Sequence, residues 1–161
     1  MLSPTLQSSL NKQCNQERAN AAAYRAMAWE LDADNWPGCT IWMTKSSREE
    51  EEHAEKIAAY IVDQNGVPVV DSIYAVSLLR NTDIVQYFQT ALELEKTNTE
   101  LLKVLYFEAE RAEDAATCIF LQWFITEQVS SERELTDIIQ MLQRLDNNGR
   151  VFYDKEIGTL K

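Results

Sequence analysis

Five side chains able to hold a metal fall at positions where a helix would otherwise present apolar residues: Glu17, Glu50, His53, Glu95 and Gln128. Leu6, Leu10, Cys14, Glu17, Ala21, Tyr24, Ala28 and Leu31 follow one another at spacings of three and four, so Glu17 shares one helical face with the apolar residues around it. Trp42, Ser46, Glu50, His53, Ile57 and Tyr60 repeat the pattern. Ile84, Phe88, Ala91, Glu95, Asn98 or Thr99, Leu102 and Ala109 trace a looser version, and Thr117, Leu121, Phe124, Gln128, Ser131, Leu135, Ile138, Leu142 and Leu145 a regular one. An isolated carboxylate taken out of water costs several kcal/mol, comparable with the whole net stability of a domain. Three of them facing a common core need a partner, and a cation is the simplest.

The intervals between these residues carry further information. Glu17 to Glu50 spans 50 − 17 = 33 positions, and Glu95 to Gln128 spans 128 − 95 = 33. Adding three to each second member gives His53 and Ser131, so one half reads Glu plus Glu-x-x-His and the other Glu plus Gln-x-x-Ser. Residues three apart share a helical face, which lets Glu-x-x-His hold one ion with a carboxylate and an imidazole. The arrangement is that of a di-iron carboxylate bundle with one half degraded. Oxygen-rich donors with a single imidazole suit iron; zinc would also bind but offers no redox chemistry.

Four helices are needed to position such a set. Pro4 after Ser3 signals a helix start, and helix A is expected from there to Asp32. Asp34-Asn35-Trp36-Pro37-Gly38 breaks it within a few residues, so helix B is expected to run back antiparallel and to end near Gly66 as a C-cap. Val67 to Arg80 is apolar without helical period or hairpin signal, which suits one long crossover between two hairpins. Helix C is expected from a cap at Asn81 or Thr82 to about Glu110, helix D from Ala112 to Leu145 with Asn147-Asn148-Gly149 ending it, and a short helical tail over Asp154 to Leu160.

Composition agrees with an all-α chain. It has 161 residues with four glycines and three prolines, enough for one domain over 1–161 with a sizeable core. A net charge of −11 with 15 scattered basic residues argues against nucleic acid. Cys14, Cys39 and Cys118 are odd in number and far apart, indicating neither a disulfide framework nor a zinc knuckle, and a reducing cytoplasm fits. No stretch approaches the ~20 apolar residues of a membrane span, and no leader is expected at the N-terminus.

Longer stretches resemble the non-haem ferritins over nearly the whole chain. The likeness rests on Asn15-Gln16-Glu17 with Tyr24 and Met27-Ala28; on Trp36-Pro37-Gly38; on Glu49-Glu50-Glu51-Glu52-His53-Ala54-Glu55-Lys56; on Ala91-Leu92-Glu93-Leu94-Glu95; on Phe120 through Val129; and on Asp154-Lys155-Glu156-Ile157-Gly158. The resemblance implies a ferritin-like antiparallel four-helix bundle with one long crossover and a short fifth C-terminal helix. It also implies a 24-subunit shell that oxidises Fe(II) with dioxygen or peroxide and stores the ferric mineral. In that reading Glu17, Glu50 and His53 bind the first iron, Glu50 bridges, Glu95 binds the second and Gln128 stands beside it. Tyr24 hydrogen-bonds the site or donates an electron. Many bacterial members have glutamates where Ser130 and Ser131 stand, so this centre looks more like that of animal heavy-chain ferritins; Glu49 and Glu127 remain for a weakened third site. Acids that line the animal shells' three-fold channels are replaced by Cys118 and Leu121. A bacterioferritin is disfavoured, since the second Glu-x-x-His is absent and no methionine lies beside Glu50.

Blander readings stand beside these. His53 fits a solvated imidazole within a run of glutamates, Tyr24 a core tyrosine with its hydroxyl satisfied, and Gln128 a core hydrogen-bonding group. Glu49, Glu52 and Glu55 fit a solvated face or one lining an inner cavity. Cys39 and Cys118 read as small apolar residues, and Trp29, Trp36, Trp42 and Trp123 as packing residues. Two other functions compete: a storage or structural subunit with little ferroxidase activity, and a metal-free helical interaction module.

Overall fold

The computed structural model describes residues 2–77, 79–80 and 82–160. Within them the elements are α1 (Pro4–Ala33), α2 (Pro37–Asp63), α3 (Ile84–Arg111), α4 (Ala115–Arg144) and α5 (Asn147–Ile157). Three-residue loops join α1 to α2 and α3 to α4, making the two expected hairpins. The crossover runs back alongside α1: Asn11 and Asn15, one turn apart, bond the backbone of Val67, Val69 and Asp71, while Glu30 near the far end of α1 accepts from the Leu79 amide. It therefore carries the chain the length of the bundle and sets α3 parallel to α2. The two asparagines, four residues apart, pair with alternate residues of an extended segment, which satisfies backbone groups that a bare crossover would leave to water.

Helix ends follow their local chemistry. Ser3 Oγ accepts from Leu6 N at 3.2 Å with Pro4 in the first turn, and Asp83, Asp114 and Asp146 cap α3, α4 and α5 in the same manner. The start of α3 is thus set by Asp83 rather than Thr82; Asn81 lies outside the described residues. At their C-termini α1, α2 and α3 place Asn35, Asn65 and Glu113 in the left-handed region, at φ of 60°, 61° and 57°. The next N–H returns to a carbonyl five residues back, as in Trp36 N to Leu31 O at 2.9 Å. Three expectations are corrected here. Asn65, not Gly66, takes the left-handed position, and Gly66 sits close-packed: a Cβ there would meet Gln7 Oε1 at 2.6 Å and Ile61 Cγ2 at 2.8 Å, so a side chain would have to displace both. α4 begins at Ala115 rather than Ala112, since Glu113 turns the chain and Asp114 caps it. Asn147-Asn148-Gly149 does not merely end helix D; capped by Asp146, it forms the first turn of an eleven-residue α5.

α2 has no side-chain cap of its own, and α5 supplies one. Asp154 accepts from Gly38 N at 2.9 Å and Cys39 N at 2.8 Å. A Cβ on Gly38 would lie 1.7 Å from the Asp154 carbonyl oxygen, so only glycine permits this approach. Burial and the Asp154 carboxylate push the Cys39 thiol up, consistent with its reading as a small core residue.

The core divides in two. One cluster holds Met27, Trp42, Met43, Phe88, Ala91, Leu135 and Ile138 among others; the second holds Leu10, Cys14, Ala54, Ile57, Leu102, Leu121 and Phe124. On every long helix the polar position falls between the clusters: Glu17 beyond Cys14, Glu50 between Met43 and Ala54, Glu95 between Ala91 and Leu102, Gln128 between Phe124 and Leu135. The expectation that all four tryptophans pack is corrected for Trp29, which is 69% exposed on the outer face of α1. The reason is its register, one residue out of step with the buried Ala28 of the α1 stripe.

Candidate metal centre

α1 packs closely on α3, whereas the backbones of α2 and α4 nowhere approach within 8 Å among the described residues. The gap is a cleft of about 510 Å³ walled by Ser46, Glu49, Glu50, Glu52, His53, Lys56, Glu95, Trp123, Glu127, Ser130, Ser131 and Glu134, with Leu160 at its edge. Six carboxylates against one lysine focus a negative potential that draws cations inward.

At the base of the cleft, Glu17, Glu50 and His53 each offer a donor atom, all within 4.8 Å of one another. Glu17 is fully buried and Glu50 nearly so. His53 Nδ1 lies 3.5 Å from Glu50 Oε1 and is itself buried without a hydrogen-bond partner. Its ring is held edge-on by Trp123 and Phe124, at centroid distances of 5.5 and 5.8 Å. Burial first, then the Glu50 charge and a shared hydrogen bond with it, hold the Glu17 carboxyl well above the usual carboxylate range. Two buried carboxylates that raise one another's proton affinity lie beside an imidazole nitrogen without a hydrogen-bond partner, and a dication there would satisfy all three groups. The donors, carboxylate oxygens and one imidazole, fit iron.

The partner half is built differently. Tyr24, 1% exposed, donates to Glu95 Oε1 at 2.5 Å, and Gln128 Nε2 donates to Glu95 Oε2 at 2.9 Å. Burial and the adjacent Glu95 push the Tyr24 phenol up, so it stays a protonated donor. Glu95 lines the same cleft, as do Glu49, Glu127, Ser130 and Ser131. Glu95, Gln128, Glu49 and Glu127 stand outside the compact trio, and among the described residues no second cluster of three such donors is formed.

Several supporting residues had no assigned role in the sequence. Asn98, one turn beyond Glu95, donates to both Glu17 oxygens at 3.1 and 3.3 Å, and Gln13, one turn before Glu17, donates to Glu17 Oε1 and to Asn98 Oδ1 at 2.7 Å each. Thr99 and Glu132 extend the network from Gln128. The signal was present as i±3 and i±4 spacing from the acids, but an amide at such a position reads equally as a solvated residue.

Comparison with known proteins bears on this centre. A family model described as the ferritin-like domain matches residues 7–145. The bacterial non-heme ferritin of Staphylococcus epidermidis is 35% identical over 160 residues, covering 98% of this chain and 96% of the relative. That of Bacteroides fragilis is 31% identical over 158 residues, covering 98% and 99%. An open-pore ferritin from the hyperthermophilic archaeon Archaeoglobus fulgidus superposes with a TM-score of 0.96 at 28% identity, covering all of both chains.

Proposed function

The chain belongs to the ferritin family, and from that premise we propose that it stores iron by oxidising Fe(II) to Fe(III) at a di-iron centre inside each subunit. Two ferrous ions give up two electrons; dioxygen accepting them with two protons leaves as hydrogen peroxide, and peroxide as oxidant leaves as water. Glu17, Glu50 and His53 hold the first ion, Glu50 reaches the second, and Glu95 holds the second with Gln128 beside it. Tyr24 orients Glu95. Glu49 and Glu127 stand in the cleft wall as a weaker third position and as a path along which iron moves. The observation that carries this reading is the convergence of Glu17, Glu50 and His53 within 4.8 Å in a buried layer between two apolar clusters.

Aerobic addition of Fe(II) should give rapid oxidation that Glu50→Ala and His53→Ala abolish. Unchanged rates in both variants would sink the assignment. Storage requires an assembly, and we propose a hollow shell of 24 copies; the exposed Trp29, Tyr74 and Phe152 supply apolar surface for it. Sedimentation of the purified protein tests the size. Among the described residues no helix is long and apolar enough to cross a membrane, which suits a cytoplasmic store.

Ser130 and Ser131 in the cleft wall favour a second reading, a storage subunit with little oxidation of its own. It requires Fe(II) oxidation no faster than in buffer alone.

A further inference from the structure

The two halves of the centre differ in one respect that calls for a device. The position matching Glu50 is Gln128, and an amide, unlike a carboxylate, has a wrong end: its oxygen can face a cation, its NH2 cannot. We propose that Thr99 and Glu132 are positioning residues that fix which end of the Gln128 amide faces the second iron. The inference rests on the di-iron reading above.

Gln128 is buried, 2% exposed, and its Nε2 donates to Glu95 Oε2 at 2.9 Å, to the Glu95 carbonyl at 3.1 Å and to Thr99 Oγ1 at 3.3 Å. Thr99 spends its one proton on Glu132 Oε1, at 2.5 Å. An ionised carboxylate only accepts, so the Thr99 oxygen presents lone pairs to Gln128 and the chain has one polarity, Gln128 to Thr99 to Glu132. The amide oxygen is thereby turned away from Glu95 and Thr99. Glu95 alone would impose this orientation on the empty site. A cation that draws on the Glu95 carboxylate competes with Gln128 for the same oxygens, and Thr99 takes no part in that competition. With the Glu95 carbonyl it supplies the two acceptors that keep both N–H groups of Nε2 occupied while iron is bound, and of these two Thr99 is the one a side-chain substitution can remove. Thr99 and Glu132 are both half-buried and reach outward on the side of Lys96 and Lys103, away from the trio of Glu17, Glu50 and His53.

The test is an anaerobic Co(II) titration of the assembled protein, followed by the visible ligand-field bands of the bound ion. The unaltered protein should take two ions per subunit. Thr99→Val keeps the shape and removes the hydroxyl, and should weaken the second ion about ten-fold or more with the first unchanged, the scale of lost outer-shell partners in metal sites. Thr99→Ser should restore it. Glu132→Leu, which frees the Thr99 proton to turn toward Gln128, should weaken the second ion in the same direction. Thr99→Val binding both ions like the unaltered protein, or losing both equally, overturns the proposal; Glu132→Leu at full affinity overturns the role of Glu132. Failure of the unaltered protein to bind cobalt would instead overturn the di-iron reading.

Discussion

The hydroxyl of Tyr24 on α1 donates to Glu95 on α3 at 2.5 Å, while three residues along α3 the amide of Asn98 donates back to Glu17 on α1. Glu17 and Glu95 thus each receive a donor from the other's helix. The α1–α3 seam holds the acids in place before any ion arrives, and the open α2–α4 side is left for access.

Tyr24→Phe removes one of these cross-ties and leaves a buried Glu95 oxygen without that donor. The expected cost to the metal-free protein is about 1–3 kcal/mol. A cation at the centre supplies the missing partner, so saturating Zn(II) should recover much of the loss. Thermal unfolding of both proteins with and without Zn(II) reads this directly; an equal deficit in both conditions would show that the hydroxyl matters only as packing.

Asp154 of α5 caps the N-terminus of α2, and Gly38 is the residue that lets it approach. Gly38→Ala, a change that would favour an exposed helix, must here displace α5 because the new Cβ would overlap the Asp154 carbonyl. Asp154→Ala keeps the space and loses the cap, costing about 1 kcal/mol. Limited proteolysis should release the C-terminal segment readily from the Gly38 variant and only slightly faster from the Asp154 variant.

Asp83 sets the acid limb of stability for the start of α3. The Val85 N–H bond first, opposed by burial and then reinforced by Arg150 at 2.8 Å, holds the Asp83 carboxyl below the usual range. A depressed acid contributes stability above its unfolded value of 3.8, and that contribution is lost as pH falls through the folded value. Asp83→Ala should therefore lower the melting temperature at neutral pH, with the gap to the unaltered protein closing below pH 3.8. A gap that persists into strong acid would assign the effect to helix propensity instead. The side chain is 57% exposed, so the shift is small.

The helices and the four inward positions were legible in the sequence because apolar periodicity is a long, repeated signal and each interruption breaks it visibly. The 33-residue interval put Glu17 with Glu50 and Glu95 with Gln128, each pair within one hairpin. The ends were less legible. Asn65 and Glu113 take left-handed positions that glycine is usually expected to fill, and α5 was hidden by Asn147-Asn148-Gly149, a sequence that stops one helix and starts another equally well. The cap from Asp154 to Gly38 and the ties from Asn11 and Asn15 to the crossover join residues more than fifty positions apart, with no periodicity to announce them. In the centre the acids were readable and the amides that aim them were not. A buried Asn98 or Gln13 differs from a solvated one only in what lies opposite.

Ser131 provides the last test. It occupies the position that matches His53 in the other half, and it lines the cleft as a short hydroxyl where a carboxylate would reach the second ion. In the proposed di-iron centre only Glu95, Gln128 and a shared Glu50 oxygen would hold the second ion, so ferric iron at that position should leave for the mineral after each turnover and the centre should act as a transit site. Ser131→Glu adds a charge and a ligand on the same face as Gln128. It should tighten the second ion in anaerobic titrations and slow the regeneration of the oxidation burst when a second aliquot of Fe(II) is added. Two irons per subunit that persist in the unaltered protein through chelation and repeated turnover would contradict the transit reading, because a site that already retains both ions has no need of the missing carboxylate.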